Sequence, residues 1–415
     1  MGADGVFVPL LALLLAGLFA QRAARAVRLP DVVAYVAAGV LLGPVLHVVP
    51  VAIGGGVTRN LLTFGAAFML LIGGRRLGLR TLREIWLGLT LLATVGVLVT
   101  GTVSAVASRY LLHLPWSAAA LLGAVLSATD PATIIPLFRA VTVRPRLARL
   151  VEAESACNDA LAALLTLGMV GLVAHGRIAV GGALGSLPWM IGGAVLAGAG
   201  TGVVASWLMP GGRGLGLLDT REQGAVLSLA VVLGAYAGAQ ALGASGYLAV
   251  FVAGVVLGNR HALGLEPPST HRRVHEAYLG QVGLLVRMLV FLVLGAAVQL
   301  DLVARVLLPA LAVAAVLLLV ARPMAVLACL PADRVARWTA GEVAFAAWVR
   351  ETGVVPAALG GLLLQEQVPG ADTIAAVVFV AVLVSILVQP TTTRWWALRC
   401  GVALPDREPG GRTAA

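Results

Sequence analysis

The sequence predicts an all-α, polytopic membrane protein with about thirteen transmembrane helices. Of its 415 residues, 60% are hydrophobic and 12% are charged, and the mean hydropathy is +0.98. A soluble domain carries about 25% charged residues. Most of the apolar runs reach the roughly 20 residues that a membrane helix needs. Residues 1–400 are therefore predicted to form one transmembrane domain, and residues 401–415 a short cytoplasmic tail.

Thirteen apolar runs follow one another along the chain, of which the third and ninth are short. The predicted spans cover residues 5–21, 31–49, 58–74, 85–107, 116–138, 150–174, 181–208, 222–240, 243–259, 279–298, 304–330, 339–365 and 372–396.

Arginine placement supports this count. All 29 basic residues are arginine, and 22 of them fall in alternate loops and the tail; the other loops hold only Arg59, Arg109, Arg177 and Arg305. Arginine-rich loops face the cytoplasm. We expect a plasma-membrane protein, and the arginine placement puts its N-terminus outside and its C-terminus in the cytoplasm. The same rule accounts for the net charge of +10, so no nucleic-acid partner is expected.

The second half of the chain repeats the first. Residues 37–44 read A-A-G-V-L-L-G-P and residues 252–259 read V-A-G-V-V-L-G-N, and the string from Phe68 is similar to the string from Phe291. Each partner lies seven spans later, and because seven is odd the second copy is inverted in the membrane. We expect two inverted six-helix repeats and a linker helix, at about residues 5–175, 222–396 and 181–208.

The fifth and twelfth spans, at matching places in the two repeats, contain breaks. The fifth breaks at Asp130-Pro131, where proline disfavours helix at the preceding residue, and the twelfth breaks near residues 353–356. A helix broken at membrane depth is tolerated where it lines a cavity or is buried in protein. Interrupted helices in inverted repeats are typical of the ion site of a secondary transporter. We therefore expect the discontinuous helices 5 and 12 to cross there.

Two carboxylates are predicted at the middle of the membrane. Asp159 lies ten residues after Arg149, or about 15 Å along a helix, and Asp130 lies nine residues before Arg139. A charge at that depth costs at least ~2.5–3.5 kcal/mol and usually belongs to an ion or proton pathway. We predict that Asp159 is the proton and cation carrier; the alternative is a structural carboxylate. Asp130 is predicted near the ion, as a ligand or as a group that offsets the half-helix dipoles.

Helical phase adds neighbours to Asp159. Ser155 shares its face of the sixth span, and Glu152 joins them nearer the cytoplasm. This face offers oxygen atoms to an ion. Thr129 and Ser155 are candidate ligands through hydroxyl or backbone oxygen; the alternative is that their hydroxyls bond back to the preceding turn.

Other buried charges are predicted to support the site. Glu154 and Asn158 share a neighbouring helix face. Glu154 is deep and needs a cation, and Arg322 lies at similar depth in the eleventh span, so we predict a structural ion pair. Arg350 and Glu351 are adjacent in the twelfth span. They do not face each other on a helix, and at a break each is expected to cap or pair locally.

No cofactor is expected. The chain contains no P-loop, no nucleotide fingerprint and no His/Cys metal cluster. Its cysteines, Cys157, Cys329 and Cys400, show no metal-ligand spacing. An enzyme or an ATP-driven pump is therefore disfavoured, and the only metal expected is a monovalent cation.

Several strings resemble the monovalent cation:proton antiporter superfamily, which has the sodium/proton exchanger fold. They are L-P-D-V-V-A-Y-V-A-A-G-V-L-L-G-P, S-A-T-D-P, E-A-E-S-A-C-N-D, V-A-R-P and G-Y-L-A-V-F-V-A-G-V-V-L-G-N, and the likeness covers nearly the whole chain. Asn158-Asp159 is similar to the pair found in the branch associated with electroneutral one-for-one exchange. Two positions depart from the family pattern: Ile72 stands at a position that is often acidic, and Thr352 stands at the usual arginine position.

The resemblance implies roles for the residues already singled out. Asp159 would be the shared proton and cation site, and Asn158 a helper. The companions of the ion would be Thr129, Asp130 and Ser155. The stabilising pair would be Glu154 with Arg322. A homodimer is also implied.

By this resemblance we expect an antiporter that exchanges Na⁺ for H⁺ by alternating access, with electroneutral one-for-one stoichiometry. A K⁺/H⁺ antiporter is the first alternative. A proton-coupled organic-solute carrier would need extra polar residues around a larger cavity. A channel would need a continuous pore, and a receptor would normally carry a soluble output domain.

Overall fold

The computed structural model describes residues 4–27, 29–49, 56–129, 143–174, 180–209, 215, 217, 223–265 and 269–403. Within these residues the chain is almost entirely helical and contains no strand, apart from one isolated β-bridge between Val143 and Ala403. The all-α prediction is confirmed for this part of the chain. Every predicted span contains at least one helix.

The helices follow the predicted spans closely, and several extend beyond them. In chain order they are α1 (Asp4–Val27), α2 (Asp31–Val40), α3 (Gly56–Arg76), α4 (Leu79–Leu91), α5 (Val97–Leu111), α6 (Trp116–Ser127), α7 (Pro145–Ala174), α8 (Val180–Leu208), α9 (Gly224–Ala241), α10 (Gly246–Gly258), α11 (Ser269–Ala296), α12 (Leu300–Val316), α13 (Arg322–Cys329), α14 (Ala340–Trp348), α15 (Val354–Gln365) and α16 (Ala371–Arg399). Short π-helical turns, Leu92–Gly96 and Leu317–Ala321, join α4 to α5 and α12 to α13, and another, Leu41–Val45, extends α2.

The length and composition of these helices identify a multi-pass membrane protein. Seven helical segments of the described residues are long and apolar enough to cross a membrane: Phe7–Val27, Leu82–Leu111, Pro188–Leu208, Gly224–Ala241, Glu276–Ala296, Leu300–Cys329 and Ala371–Arg399. Shorter apolar segments lie between them. A helix can span lipid because it satisfies its backbone hydrogen bonds internally.

The same helix crossing occurs twice, each time between a helix of the first half of the chain and a helix of the second half. Gly39 of α2 packs on Gly295 of α11, and Gly254 of α10 packs on Gly74 of α3. A Cβ atom on Gly295 would lie 3.1 Å from the Gly39 Cα atom, and one on Gly74 would lie 3.2 Å from the Gly254 Cα atom. Glycine permits this close backbone approach. The two crossings are therefore counterparts.

This crossing corrects the predicted alignment of the third and tenth spans. Matching Phe68 with Phe291 would make Ala297 the equivalent of Gly74 in the second repeat. The crossing instead makes Gly295, two residues earlier, the equivalent of Gly74. Both strings are rich in small and branched apolar residues, so the letters alone allow either register. The close approach of the backbones decides between them.

The twelfth span is interrupted, and the break lies slightly earlier than predicted. α14 ends at Trp348 and α15 begins at Val354, so residues 349–353 are not helical. Pro356 lies within the first turn of α15. The first backbone amides of a helix have no partner inside it, so proline is tolerated there.

The helix of the fifth span, α6, ends before the predicted break. α6 stops at Ser127, and Ala128 is extended, with φ −69° and ψ 151°. The predicted break at Asp130-Pro131 lies outside the described residues.

The helices pack into two groups. One, which we call the scaffold group, contains α1–α3 and α8–α11; the other, the core group, contains α4–α7 and α12–α16. The groups meet where α3 and α11 pack on α15, and where α3 and α10 pack on α7. Both interrupted spans belong to the core group.

Candidate functional site

Four polar residues form a hydrogen-bonded group, which we call the central site, where the end of α6 meets α7. Ser155, Asn158 and Asp159 lie on α7, and Thr129 follows α6. Because α6 has ended, the Thr129 N–H is free of the helix, and it donates to Asp159 Oδ1 at 3.0 Å. None of the four residues is more than 5% exposed.

The Thr129 hydroxyl joins the other two members of the central site. It donates to Ser155 Oγ at 2.9 Å and accepts from Asn158 Nδ2 at 2.9 Å. The hydroxyl is therefore directed across to α7 and not back to the preceding turn of α6. Helical spacing brings Ser155 and Asp159 to one face, whereas only the tertiary structure adds Thr129 to them.

The central site suits a small cation or a proton. It contains one carboxylate, two hydroxyl groups and one amide, all of them buried. Such oxygen atoms replace the hydration shell of a hard cation. A buried carboxylate that carries a charge must be compensated. One proton or one monovalent cation would be sufficient to neutralise the Asp159 carboxylate.

Two further predicted site residues, Asp130 and Glu152, are not among the four residues of the central site. Asp130 lies outside the described residues. Glu152 is half-buried on α7, one turn nearer its start than Ser155.

Glu154 and Arg322 are in contact. Arg322 is the first residue of α13, directly after a π-helical turn. Its two terminal nitrogens bind the two carboxylate oxygens of Glu154, Nη1 to Oε1 and Nη2 to Oε2, the second of these at 2.8 Å. Arg322 Nε also donates to the Ala346 carbonyl at 3.0 Å. Both side chains are buried, so the pair ties α7 to α13 and α14.

Arg350 reaches across the molecule from the break between α14 and α15. Its Nη2 donates to the backbone carbonyl of Leu126 and lies 3.4 Å from that of Ala128. The guanidinium therefore caps the end of α6, where carbonyl groups lack helical partners and the helix dipole is negative. We expected Arg350 to cap or pair locally. The structure corrects this, because its partners belong to the other interrupted span.

The rest of the break is held by α16. The Thr352 N–H donates to Ser385 Oγ at 3.1 Å, and Gln389 Nε2 donates to the Trp348 carbonyl at 2.9 Å. These bonds satisfy backbone groups that the break removes from the helix. Glu351 is fully buried beside them.

Ser385 and Gln389 were not predicted from the sequence. They are spaced four residues apart in the last apolar span, so they share a helix face. That spacing was the available signal, and it did not indicate which backbone groups they bind.

The start of α7 is also tied to α14. Glu342 and Thr339 form a capping box at the first turn of α14. Arg146 Nη2 lies 3.0 Å from Glu342 Oε2, and Arg146 Nη1 donates to the Ala336 carbonyl at 2.7 Å. The helix that carries Asp159 is therefore held at its first turn as well as by Glu154.

Known proteins share this architecture. The family model described as "Sodium/hydrogen exchanger, transmembrane" matches residues 10–399. A solved structure of the sodium proton antiporter MjNhaP1 from Methanocaldococcus jannaschii at pH 8 superposes with a TM-score of 0.83 at 26% identity, covering 95% of this chain and 98% of that one.

Curated relatives carry both K⁺ and Na⁺ in their names. The K(+)/H(+) antiporter NhaP of Alkalimonas amylolytica is 34% identical over 313 residues, which are 72% of this chain and 50% of that protein. The Na(+)/H(+) antiporter 1 of Methanocaldococcus jannaschii is 30% identical over 375 residues, or 88% of this chain and 84% of that protein. The chain thus spans about half the length of the Alkalimonas protein.

The family model covers nearly the whole chain, and the interrupted helices and central site lie within the matched residues. This chain belongs to the sodium/hydrogen exchanger family.

Proposed function

We propose that this protein is a secondary antiporter that exchanges a monovalent cation, Na⁺ by preference, for H⁺. The observation that carries the proposal is the buried Asp159 carboxylate, which accepts from the Thr129 amide at 3.0 Å beside the Ser155 and Asn158 side chains. Such a carboxylate binds one proton or one cation, not both. Membership of the exchanger family supports the same activity.

Competition at Asp159 accounts for obligatory exchange. The ionised, empty carboxylate is costly in a buried site, so that form does not change conformation readily. A proton or a cation neutralises it and permits the core group to move against the scaffold group. Each ligand is then released on the side where its concentration is low, which is alternating access.

The other buried residues take supporting roles in this proposal. Thr129, Ser155 and Asn158 orient the carboxylate and offer oxygen to the cation, and Asp130 acts near the same ion. Glu154 and Arg322 are a structural pair. Arg350 offsets the dipole at the end of α6, and Glu152 and Glu351 are secondary candidates for contact with the ion.

We further propose a homodimer in the plasma membrane, with the N-terminus outside and the C-terminus in the cytoplasm. The alternation of arginines between loops supports this topology. The repeated glycine crossing supports two repeats, at about residues 5–175 and 222–396. Residues 181–208 would link them, and the tail would begin at residue 401.

A K⁺/H⁺ antiporter is the second candidate, because relatives such as that of Alkalimonas amylolytica are named for K⁺. Reconstitution into proteoliposomes separates the candidates. An imposed gradient of Na⁺, K⁺ or Li⁺ is expected to drive proton movement, most strongly with Na⁺. A response to K⁺ alone would replace the Na⁺ assignment, and no response to any of the three would refute the proposed antiport.

A further inference from the structure

Two short linkers carry the chain from the scaffold group to the core group, and they occupy equivalent places in the two halves. α4 begins at Leu79, five residues after Gly74, and α12 begins at Leu300, five residues after Gly295. The glycine crossing makes Gly74 and Gly295 counterparts. The linker before Leu79 is therefore the counterpart of the linker before Leu300.

Asn259, directly after α10, fastens the first linker. Its Oδ1 accepts from the Leu79 N–H at 2.8 Å, and its Nδ2 donates to the Leu77 carbonyl at 2.7 Å and to the Val255 carbonyl at 2.8 Å. Asn259 is 3% exposed, so water competes little for these bonds. Gly78, at the N-cap position of α4, has no side chain with which to cap the helix. The cap comes instead from the scaffold group.

The second linker is held differently. The counterpart of Asn259 is Pro44, since each lies five residues past its crossing glycine. A proline side chain has no polar atom and cannot cap Leu300. Gln299, directly before α12, donates to Asp372 Oδ1 of α16 at 3.3 Å. The first linker is thus tied to the scaffold group and the second to the core group.

We propose that Asn259 is a hinge pin: it holds the start of α4 on the scaffold group, so that the core group turns about residues 77–79. The linker before Leu300 travels with the core group. This inference rests on the proposed antiport, because alternating access requires one helix group to move against the other. Hinges consist of a few residues at the ends of helices, far from the chemistry. Asn259 is therefore a positioning residue that acts through α4.

The variant Asn259→Ala tests the proposal in proteoliposomes and in detergent. Turnover per folded transporter at saturating Na⁺ is expected to fall at least about fivefold, the change that one lost hydrogen bond produces. The Leu79 amide should exchange its hydrogen faster. The equilibrium affinity of the purified protein for Na⁺ should stay within about twofold, because the central site is unchanged. His261→Ala, an exposed position at the same helix end, should match the wild type.

If Asn259 only stabilised the fold, Asn259→Ala would give a different result. The variant would have a lower melting temperature and yield, but its turnover per folded molecule would stay at the wild-type level. That outcome would overturn the hinge. If Asn259→Ala does not fold, Asn259→Asp keeps the acceptor for Leu79 and loses both donors. Its turnover should fall below the wild-type level, and wild-type turnover would again refute the hinge. A wild-type protein without exchange would refute the antiport itself, which is a separate result.

Discussion

The backbone amide of Thr129 donates a 3.0 Å hydrogen bond to Oδ1 of Asp159, and this bond joins the interrupted fifth span to α7. An amide can only donate, so Oδ1 accepts whether or not the carboxylate is protonated. The proton is therefore expected on Oδ2. The bond also fixes the orientation of the carboxylate.

Asp159→Asn is expected to abolish cation-driven proton movement and leave the protein folded. An asparagine keeps an acceptor for the Thr129 amide but cannot carry a proton or balance a cation. Exchange in proteoliposomes and melting in detergent measure the two properties. Asp301→Asn, at an exposed carboxylate at the start of α12, is the matched control and should exchange normally. Retained exchange in the Asp159 variant would contradict the carrier role.

Thr129→Val is expected to weaken cation binding. It removes the hydroxyl that bonds to Ser155 and Asn158 but keeps the backbone amide. A lost hydrogen bond is worth about 0.5–1.5 kcal/mol, so the KM for Na⁺ should rise on the order of fivefold. Thr129→Ser, which restores a hydroxyl, should recover most of the affinity. Equal KM values in all three proteins would exclude the hydroxyl from the ion site.

Glu154 and Arg322 are expected to be coupled in stability. Neutralising either one strands a buried charge and should destabilise the protein by ~3–5 kcal/mol. The double variant Glu154→Gln with Arg322→Met should recover part of that loss. Melting temperatures in detergent complete the double-mutant cycle. Additive losses would show that the pair is not coupled.

A surface pair supplies the control for this cycle. Glu84 and Arg149 lie 3.7 Å apart, with side chains that are 59% and 45% exposed. Exposed ion pairs contribute about 0–1 kcal/mol. Glu84→Gln should therefore change the melting temperature little.

Arg350→Met is expected to lower both stability and turnover. The carbonyls of Leu126 and Ala128 would lose a charged donor at the end of α6, and such a bond contributes about 1.5–3 kcal/mol. Arg350→Lys keeps the charge without the planar guanidinium. Its stability and turnover should lie between those of the wild type and those of Arg350→Met. Both variants can be melted in detergent and assayed in proteoliposomes. Wild-type values for Arg350→Met would exclude a role at this junction.

Exchange is expected to be insensitive to membrane potential. If Asp159 is the only titrating carrier, one proton moves for each monovalent cation and no net charge crosses. A valinomycin clamp in proteoliposomes, with Na⁺ as substrate, tests this stoichiometry. A Na⁺ distribution that follows the clamped potential would contradict it. Glu351→Gln would then show whether Glu351 supplies the second charge.

The sequence by itself determined that this is a helical, multi-pass membrane protein. Apolar runs of the length of a bilayer leave few other folds, because an unsatisfied backbone group in lipid is very costly. Helical spacing also placed Ser155 and Asp159 on one face, since residues four apart on a helix are neighbours. The charges of Glu154, Asp159 and Arg322 could also be singled out from the sequence, because charged residues are exceptions within apolar runs.

Only the tertiary structure decided which distant groups meet. Arg350 bonds to carbonyls more than 220 residues away, and Ser385 and Gln389 bind backbone groups at the break. Asn259 and Pro44 are single letters in similar strings, and their difference has meaning only once the glycine crossing sets the register. Backbone carbonyls and amides are present at every residue, so a sequence does not show which of them a break leaves without a partner. That depends on where each helix ends and on which side chain then lies within about 3 Å.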